Sequence, residues 1–160
     1  MTIQPGDKIP AATLYEMGPD GPGGLSTDDL FSGKTVVLFG IPGAFTPTCS
    51  AQHLPGFVKM ADQIKAKGVD EIVCFAVNDA FVMGAWGKDQ GVDGKVRMIA
   101  DGDAELTKKM GLELDLNGKG LGLRCDRFAM VVENGVVKSI DQEGPGEFEV
   151  SSAEAQLSKL

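Results

Sequence analysis

The stretch Pro42-Gly43-Ala44-Phe45-Thr46-Pro47-Thr48-Cys49-Ser50 sets a cysteine where the apolar run TVVLFGI (35–41) gives way to helical pattern. A lone thiol at the head of a helix is a candidate nucleophile, because the thiolate and not the thiol attacks. An ordinary cysteine, with a pKa of about 8.5, is only about 3% thiolate at neutral pH. A helix N-terminus favours an anion by about 0.3–1 kcal/mol, and by ~2 at best. Bringing a thiol to a pKa of about 6 takes roughly 3.4 kcal/mol at ~1.36 kcal/mol per unit. The helix start alone falls short, so a fixed cation or further donors must contribute.

Arg127 is the candidate cation. In LGLRCDRFAMVV it shares strand parity with Leu121, Leu123, Cys125, Ala129 and Val131. A guanidinium on an apolar face stays charged and needs an anion to meet it. The alternative places Arg127 at the exposed start of the strand, paired with Asp126 or solvent, and parity leaves both open. Thr46, three residues before Cys49, can fold its hydroxyl toward the sulfur within one helical turn, or serve simply as an N-cap. Pro42 lacks an N–H and can shield a thiolate without competing for it, or be an ordinary loop residue.

The remaining titratable groups read more plainly. Cys74, mid-run in EIVCFAVND, reads as a small buried hydrophobe, and Cys125, between Arg124 and Asp126, as a packing residue or incidental thiol. The three cysteines and His53 show no Cys-x2-Cys pairing, so no metal site is expected. His53, four residues beyond Cys49, is at a spacing that could face it. A cysteine–histidine hydrolase would need that imidazole held by a third group, and His53 is read instead as a partly exposed helix residue. NGKGLG (117–122) lacks the strand-then-helix context of a phosphate cradle and reads as a flexible loop.

These groups must be positioned by the elements around them. GPDGPGG (18–24) reads as a surface turn after the short strand ATLYEM, and LSTDDLF as a brief helix with Ser or Thr as N-cap. The run 35–41 reads as a central strand. Pro55 is expected to split the next segment into a short turn carrying Cys49 and a longer helix, in which Phe57, Met60, Ala61 and Ile64 share a face and which Gly68 stops. EIVCFAV (71–77) is apolar at both parities, as in a strand covered on both faces. DAFVMGAWGKDQ reads as helix, KVRMIAD as strand and DAELTKKMG as helix. LGLRCDRFAMVVENGVVKSIDQ reads as a hairpin turning at Asn134-Gly135, and SSAEAQLSKL as a helix capped by Ser151 and Glu154. The order β-α-β-α-β-α, β-β, α implies parallel crossovers with an antiparallel hairpin in one sheet. The expected fold is a single α/β domain over 1–160, a thioredoxin-like sandwich with a central mixed sheet, an N-terminal extension and an inserted helix.

Composition agrees with such a domain. The chain has 160 residues, 42% hydrophobic and 24% charged, with net charge −8. That charge, with scattered lysines, argues against nucleic-acid binding. The start shows no signal peptide, no run is long enough for a membrane span, and the odd cysteine count suits a reducing compartment.

Pro42…Thr46…Cys49 in PGAFTPTC resembles the active-site signature of the peroxiredoxins. FGIPGAFTPTCS, VNDAFVMGAWG and RFAMVVENGVV resemble the peroxiredoxin-5 or plant type II subfamily over nearly the whole chain. The resemblance implies a thiol-dependent peroxidase acting on hydrogen peroxide and alkyl hydroperoxides, with no cofactor. Cys49 would be the peroxidatic nucleophile, passing through a sulfenic acid. Thr46 would be the donor that orients peroxide and thiolate, Pro42 would shield the site, and Arg127 would stabilise thiolate and leaving oxygen. A thioredoxin-like dithiol motif is excluded, because Thr46 stands where its first cysteine would be.

By the same resemblance Cys74 is a candidate resolving cysteine, while the subfamily's other resolver position, near GEFEVSSAEAQL, holds no cysteine. The implied reductant is glutaredoxin with glutathione, or thioredoxin. A homodimer is expected, with Phe45, Phe81 and Trp86 as candidate apolar contacts. A non-enzymatic thioredoxin-like module and a redox sensor are the competing readings. Localisation is expected to be cytoplasmic, with the peroxisome as alternative because the chain ends Ser158-Lys159-Leu160, which also suits a capped amphipathic helix.

Overall fold

The computed structural model describes residues 1–160. Its strands are β1 (Thr13–Gly18), β2 (Gly21–Ser26), β3 (Thr35–Gly40), β4 (Glu71–Ala76), β5 (Arg97–Ala100), β6 (Glu113–Leu116), β7 (Gly122–Cys125), β8 (Phe128–Glu133) and β9 (Val136–Gln142). The helices are α1 (Thr27–Phe31), α2 (Leu54–Lys65), α3 (Ala80–Asp89), α4 (Glu105–Met110) and α5 (Ala153–Leu157). Seven strands form one mixed sheet in the order β2-β1-β5-β4-β3-β8-β9, and β6 pairs with β7 separately. β3, β4 and β5 run parallel, and β1 and β8 flank them antiparallel.

The apolar runs at both parities are central strands, as their pattern requires. Val37, Phe39, Ile72, Cys74 and Ala76 face a core shared with α2, α3 and α5. Val36, Leu38, Val73 and Phe75 face a second core shared with α1 and α4. Ser26 caps α1 through Asp29 N–H, and Asp79 caps α3 through Val82 N–H. Asn134 and Gly135, at φ 49 and 77, make the expected β8–β9 turn.

Several expectations require correction. Only the tip of GPDGPGG is a turn: Gly21–Ser26 continues as β2, antiparallel to β1. Backbone pairing at a largely exposed edge needs little from side chains, so glycine and proline are tolerated there. The run LGLRCDRFAMVV is two strands, broken at Asp126-Arg127. Parity does not carry across that break: Cys125 faces the α1/α4 core, whereas Ala129 and Val131 face the Cys49 side. Pro55 does not split the helix, because residues 47–65 are helical throughout. A π-helical turn at Cys49–His53, in which Leu54 N–H reaches the Cys49 carbonyl, leads directly into α2 with Pro55 in its first turn. The proline ring is accommodated within the continuous helix because the π-helical turn directly before it shifts the bonding to the i→i−5 pattern and opens the ladder there. The N-cap of α5 is Ser152, accepting from Ala155 N–H, and not Ser151. NGKGLG forms the tip of the β6–β7 hairpin.

Candidate active site

The register between β3 and β8 builds the site. Gly40 pairs with Phe128, which leaves Arg127 just past the end of β3, where the chain turns toward Cys49. A Cβ at Gly40 would lie 2.1 Å from the Phe128 ring, so this pairing requires glycine. Cys49 is fully buried, in the first turns of the helical stretch 47–65. Arg127 Nη2 donates to Cys49 Sγ at 3.1 Å. Of the two readings left open for Arg127, the geometry selects the one beside the thiol.

Behind Arg127 lies a layer that sequence reasoning missed. Its Nη1 donates to His53 Nδ1 at 2.8 Å, and His53 Nε2 meets the Ser151 carbonyl at 2.9 Å. A carbonyl and a guanidinium assign the tautomer: Nε2–H donates to Ser151, and Nδ1 offers its lone pair to Arg127. His53 is therefore fully buried rather than partly exposed, and it contacts Arg127 rather than serving as a base for Cys49. Burial first, then the Arg127 charge, pushes His53 down to about 3, so the imidazole is neutral across the physiological range. Its ring packs among Phe39, Phe57 and Phe148, and the Arg127 guanidinium lies 5.9 Å from the Phe148 ring centroid.

Ser151 is held in turn by Glu143, whose Oε2 accepts from Ser151 N–H at 2.8 Å, Ser151 Oγ at 2.6 Å and Glu149 N–H at 2.8 Å. Burial works to raise the Glu143 carboxyl, but the hydrogen bonds from Ser151 and Glu149 outweigh it and hold the group below the usual range. The spacing of His53 from Cys49 was a visible signal. Nothing local in the sequence marks Ser151 or Glu143.

Thr46 is placed differently from expectation. Its Oγ1 donates to the Gly43 carbonyl at 2.6 Å, and its N–H reaches the same oxygen at 3.4 Å. No hydrogen bond joins it to Cys49, and with its proton committed to the Gly43 carbonyl the hydroxyl has only lone pairs left to offer. Ala44 N–H is tied to Asn78 Oδ1 at 3.0 Å, and Trp86 Nε1–H to Ser50 Oγ at 3.1 Å. Phe45 between them sits at φ 65, a conformation unusual for an aromatic residue. Pro42, Thr48, Leu114, Asp126, Arg127 and Glu143 line part of a cavity of about 470 Å³ beside this loop. A larger cavity of about 870 Å³ runs along β1, β5 and α3, where Arg97 is paired with Glu16 and Glu71; it contains none of the residues that surround Cys49.

All three cysteines are free thiols. Cys74 is fully buried on β4 between Phe39 and Met98, and burial pushes its thiol far up. Cys125 is buried too and its thiol is pushed up by burial, with Asp101 adding; Sγ donates to the Ile41 carbonyl at 3.1 Å. Phe45 and Phe81 are 54% and 64% exposed, whereas Trp86 is wholly core and cannot be a surface contact.

The chemistry available is thus a thiol under a guanidinium, with a hydroxyl acceptor and an adjoining cavity. Residues 4–157 match the Redoxin family. The chain is 49% identical over 159 residues to Peroxiredoxin-2D of Arabidopsis thaliana, covering 99% of this chain and 98% of that one. It is 49% identical over 156 residues to Peroxiredoxin-2C of Oryza sativa subsp. japonica, covering 97% and 96%. The structure of reduced Prx3 from Vibrio vulnificus in complex with hydrogen peroxide superposes with a TM-score of 0.95 at 51% identity, covering 99% of each chain.

Proposed function

The chain belongs to the redoxin family as a peroxiredoxin, a thiol peroxidase, and from that premise we propose that Cys49 is its peroxidatic residue and works through a one-cysteine cycle. The observation that carries the reading is the single guanidinium shared between Cys49 Sγ and neutral His53. A neutral imidazole offers Arg127 an acceptor without cancelling its charge, so the full positive charge faces the sulfur at 3.1 Å.

The thiolate attacks the near oxygen of a hydroperoxide. An S–O bond forms, the O–O bond breaks, and the far oxygen leaves as water or alcohol after taking up a proton. Cys49 is left as a sulfenic acid. Thr46 Oγ1 accepts a hydrogen bond from the peroxide O–H, and Arg127 offsets charge developing on the leaving oxygen. Pro42 walls the cavity without adding a donor. The substrate class is hydrogen peroxide and alkyl hydroperoxides.

Reduction draws its electrons from outside the chain. A disulfide needs Cα atoms within about 7 Å and apposed Cβ vectors, and Cys74 is locked into paired strands on both sides. Glutaredoxin with glutathione, or thioredoxin, is the proposed electron source. Exposed Phe45 and Phe81 support a homodimer that pairs through the face beside the active-site loop. The test is peroxide consumption with each reductant in turn, together with mass spectrometry of the oxidised protein. A Cys49 sulfenate or glutathione adduct is expected; a Cys49–Cys74 linkage would refute the one-cysteine cycle.

A further inference from the structure

The β6–β7 hairpin lies outside the main sheet, and two consecutive residues on it grip the backbone that leads to Cys49. Cys125 Sγ donates to the Ile41 carbonyl at 3.1 Å, and Arg124 Nη1 donates to the Pro42 carbonyl at 3.2 Å across 82 residues of chain. Arg124 Nε is braced by the Leu121 carbonyl at 2.9 Å. In a chain with 23 acidic residues, Arg124 makes no ion pair, whereas Arg97 makes two. Gly43 packs directly against it, since a Cβ there would come within 2.6 Å of Nη1. The guanidinium is committed to loop backbone.

Each trans peptide unit moves as a rigid plate. The Pro42–Gly43 unit is held through its carbonyl by Arg124, and the next unit through the Gly43 carbonyl, which takes the Thr46 hydroxyl at 2.6 Å and the Thr46 N–H at 3.4 Å. Gly43 joins these plates, and glycine is the residue least able to fix their mutual angle unaided. Asn78 Oδ1 holds this second unit at its other end, through Ala44 N–H at 3.0 Å. Without the Arg124 bond the unit keeps that tether but loses its fixed angle to the plate before it, and the Gly43 carbonyl no longer meets the Thr46 hydroxyl in one set direction.

We propose that Arg124 is a positioning residue for peroxide reduction: by clamping the Pro42 carbonyl it aims the Gly43 carbonyl at the Thr46 proton, so that Thr46 Oγ1 presents lone pairs to the hydroperoxide. The proposal rests on the Cys49 reading above. It separates two functions within one loop. Arg127 acts on the sulfur, and Arg124 acts through two peptide units on the group that orients the substrate. Loss of Arg124 therefore impairs reaction with peroxide while sparing reaction with an electrophile that has no use for Thr46.

The experiment is a double-mutant cycle of Arg124→Met and Thr46→Val on the reduced protein, read in two reactions of Cys49. Stopped-flow oxidation by hydrogen peroxide reports the positioned site, and alkylation by iodoacetamide reports the sulfur alone. Arg124→Met is expected to slow oxidation about tenfold, the scale of one lost hydrogen bond, and to leave alkylation within about twofold. In the Thr46→Val background the same substitution should slow oxidation less than about twofold, because the group it acts through is gone. Multiplicative losses in the double variant, an equal loss in alkylation, or unchanged oxidation in Arg124→Met would each overturn the proposal. If circular dichroism shows Arg124→Met to be unfolded, Arg124→Leu, which likewise lacks a donor, carries the same cycle under the same criteria. Failure of the wild type to oxidise at Cys49 would instead refute the underlying assignment.

Discussion

Acid should find its way into this fold through His53. The imidazole is wholly buried, donates to Ser151 and accepts from Arg127, and is pushed down from 6.5 to about 3 by burial and then by the Arg127 charge. The unfolded chain binds a proton at this histidine below about pH 6.5, while the folded chain does not until about pH 3. In that window the unfolded state holds more protons, so unfolding free energy rises with pH and is lost as pH falls. At ~1.36 kcal/mol per unit, the 1.5 units from pH 6.5 to 5 remove roughly 2 kcal/mol, and the whole window on the order of 5. The assay is urea denaturation at pH 7, 6 and 5 for wild type and His53→Gln, whose difference isolates this group from the carboxylates. His53 is the only histidine in the chain, so imidazole NMR signals give an unambiguous second reading. A folded-state titration near 6.5, or the same pH slope in His53→Gln, would refute the buried neutral assignment.

Cys49→Ser should abolish peroxide consumption, with Cys125→Ser nearly unaffected because a hydroxyl can still donate to the Ile41 carbonyl; residual turnover in Cys49→Ser would end the nucleophile assignment. Arg127→Gln should slow both peroxide oxidation and iodoacetamide alkylation by at least tenfold, the loss of a bond to a charged partner being worth about 1.5–3 kcal/mol. An unchanged alkylation profile against pH would remove it from the sulfur. Gly40→Ala should lower unfolding free energy by about 3 kcal/mol or more, since its Cβ collides with Phe128 at 2.1 Å, and thermal denaturation within a degree or two of wild type would contradict the register argument. Phe81→Asp should give a monomeric mass by light scattering at micromolar concentration, against a dimeric wild type, if the exposed rings form the interface.

Much of this molecule was legible one segment at a time. The alternating and continuous apolar runs marked β3 and β4, and Asn134-Gly135 marked its hairpin. The spacing Pro42…Thr46…Cys49 placed three groups on one loop and helix start, because backbone geometry over a few residues is fixed by local sterics and hydrogen bonding. What could not be read there depends on registers between distant strands. The bond from Arg127 to Cys49 spans 78 residues and exists because Gly40 pairs with Phe128. His53 meets Ser151 across 98 residues, which converted a helix residue of no evident role into the buried acceptor behind Arg127. Strand parity even misled at Cys125 and Ala129, because a two-residue break at Asp126-Arg127 sends β7 to a separate hairpin. Periodicity reports which side of an element is apolar. Only packing decides what stands opposite, and here it is what stands opposite that carries the charge.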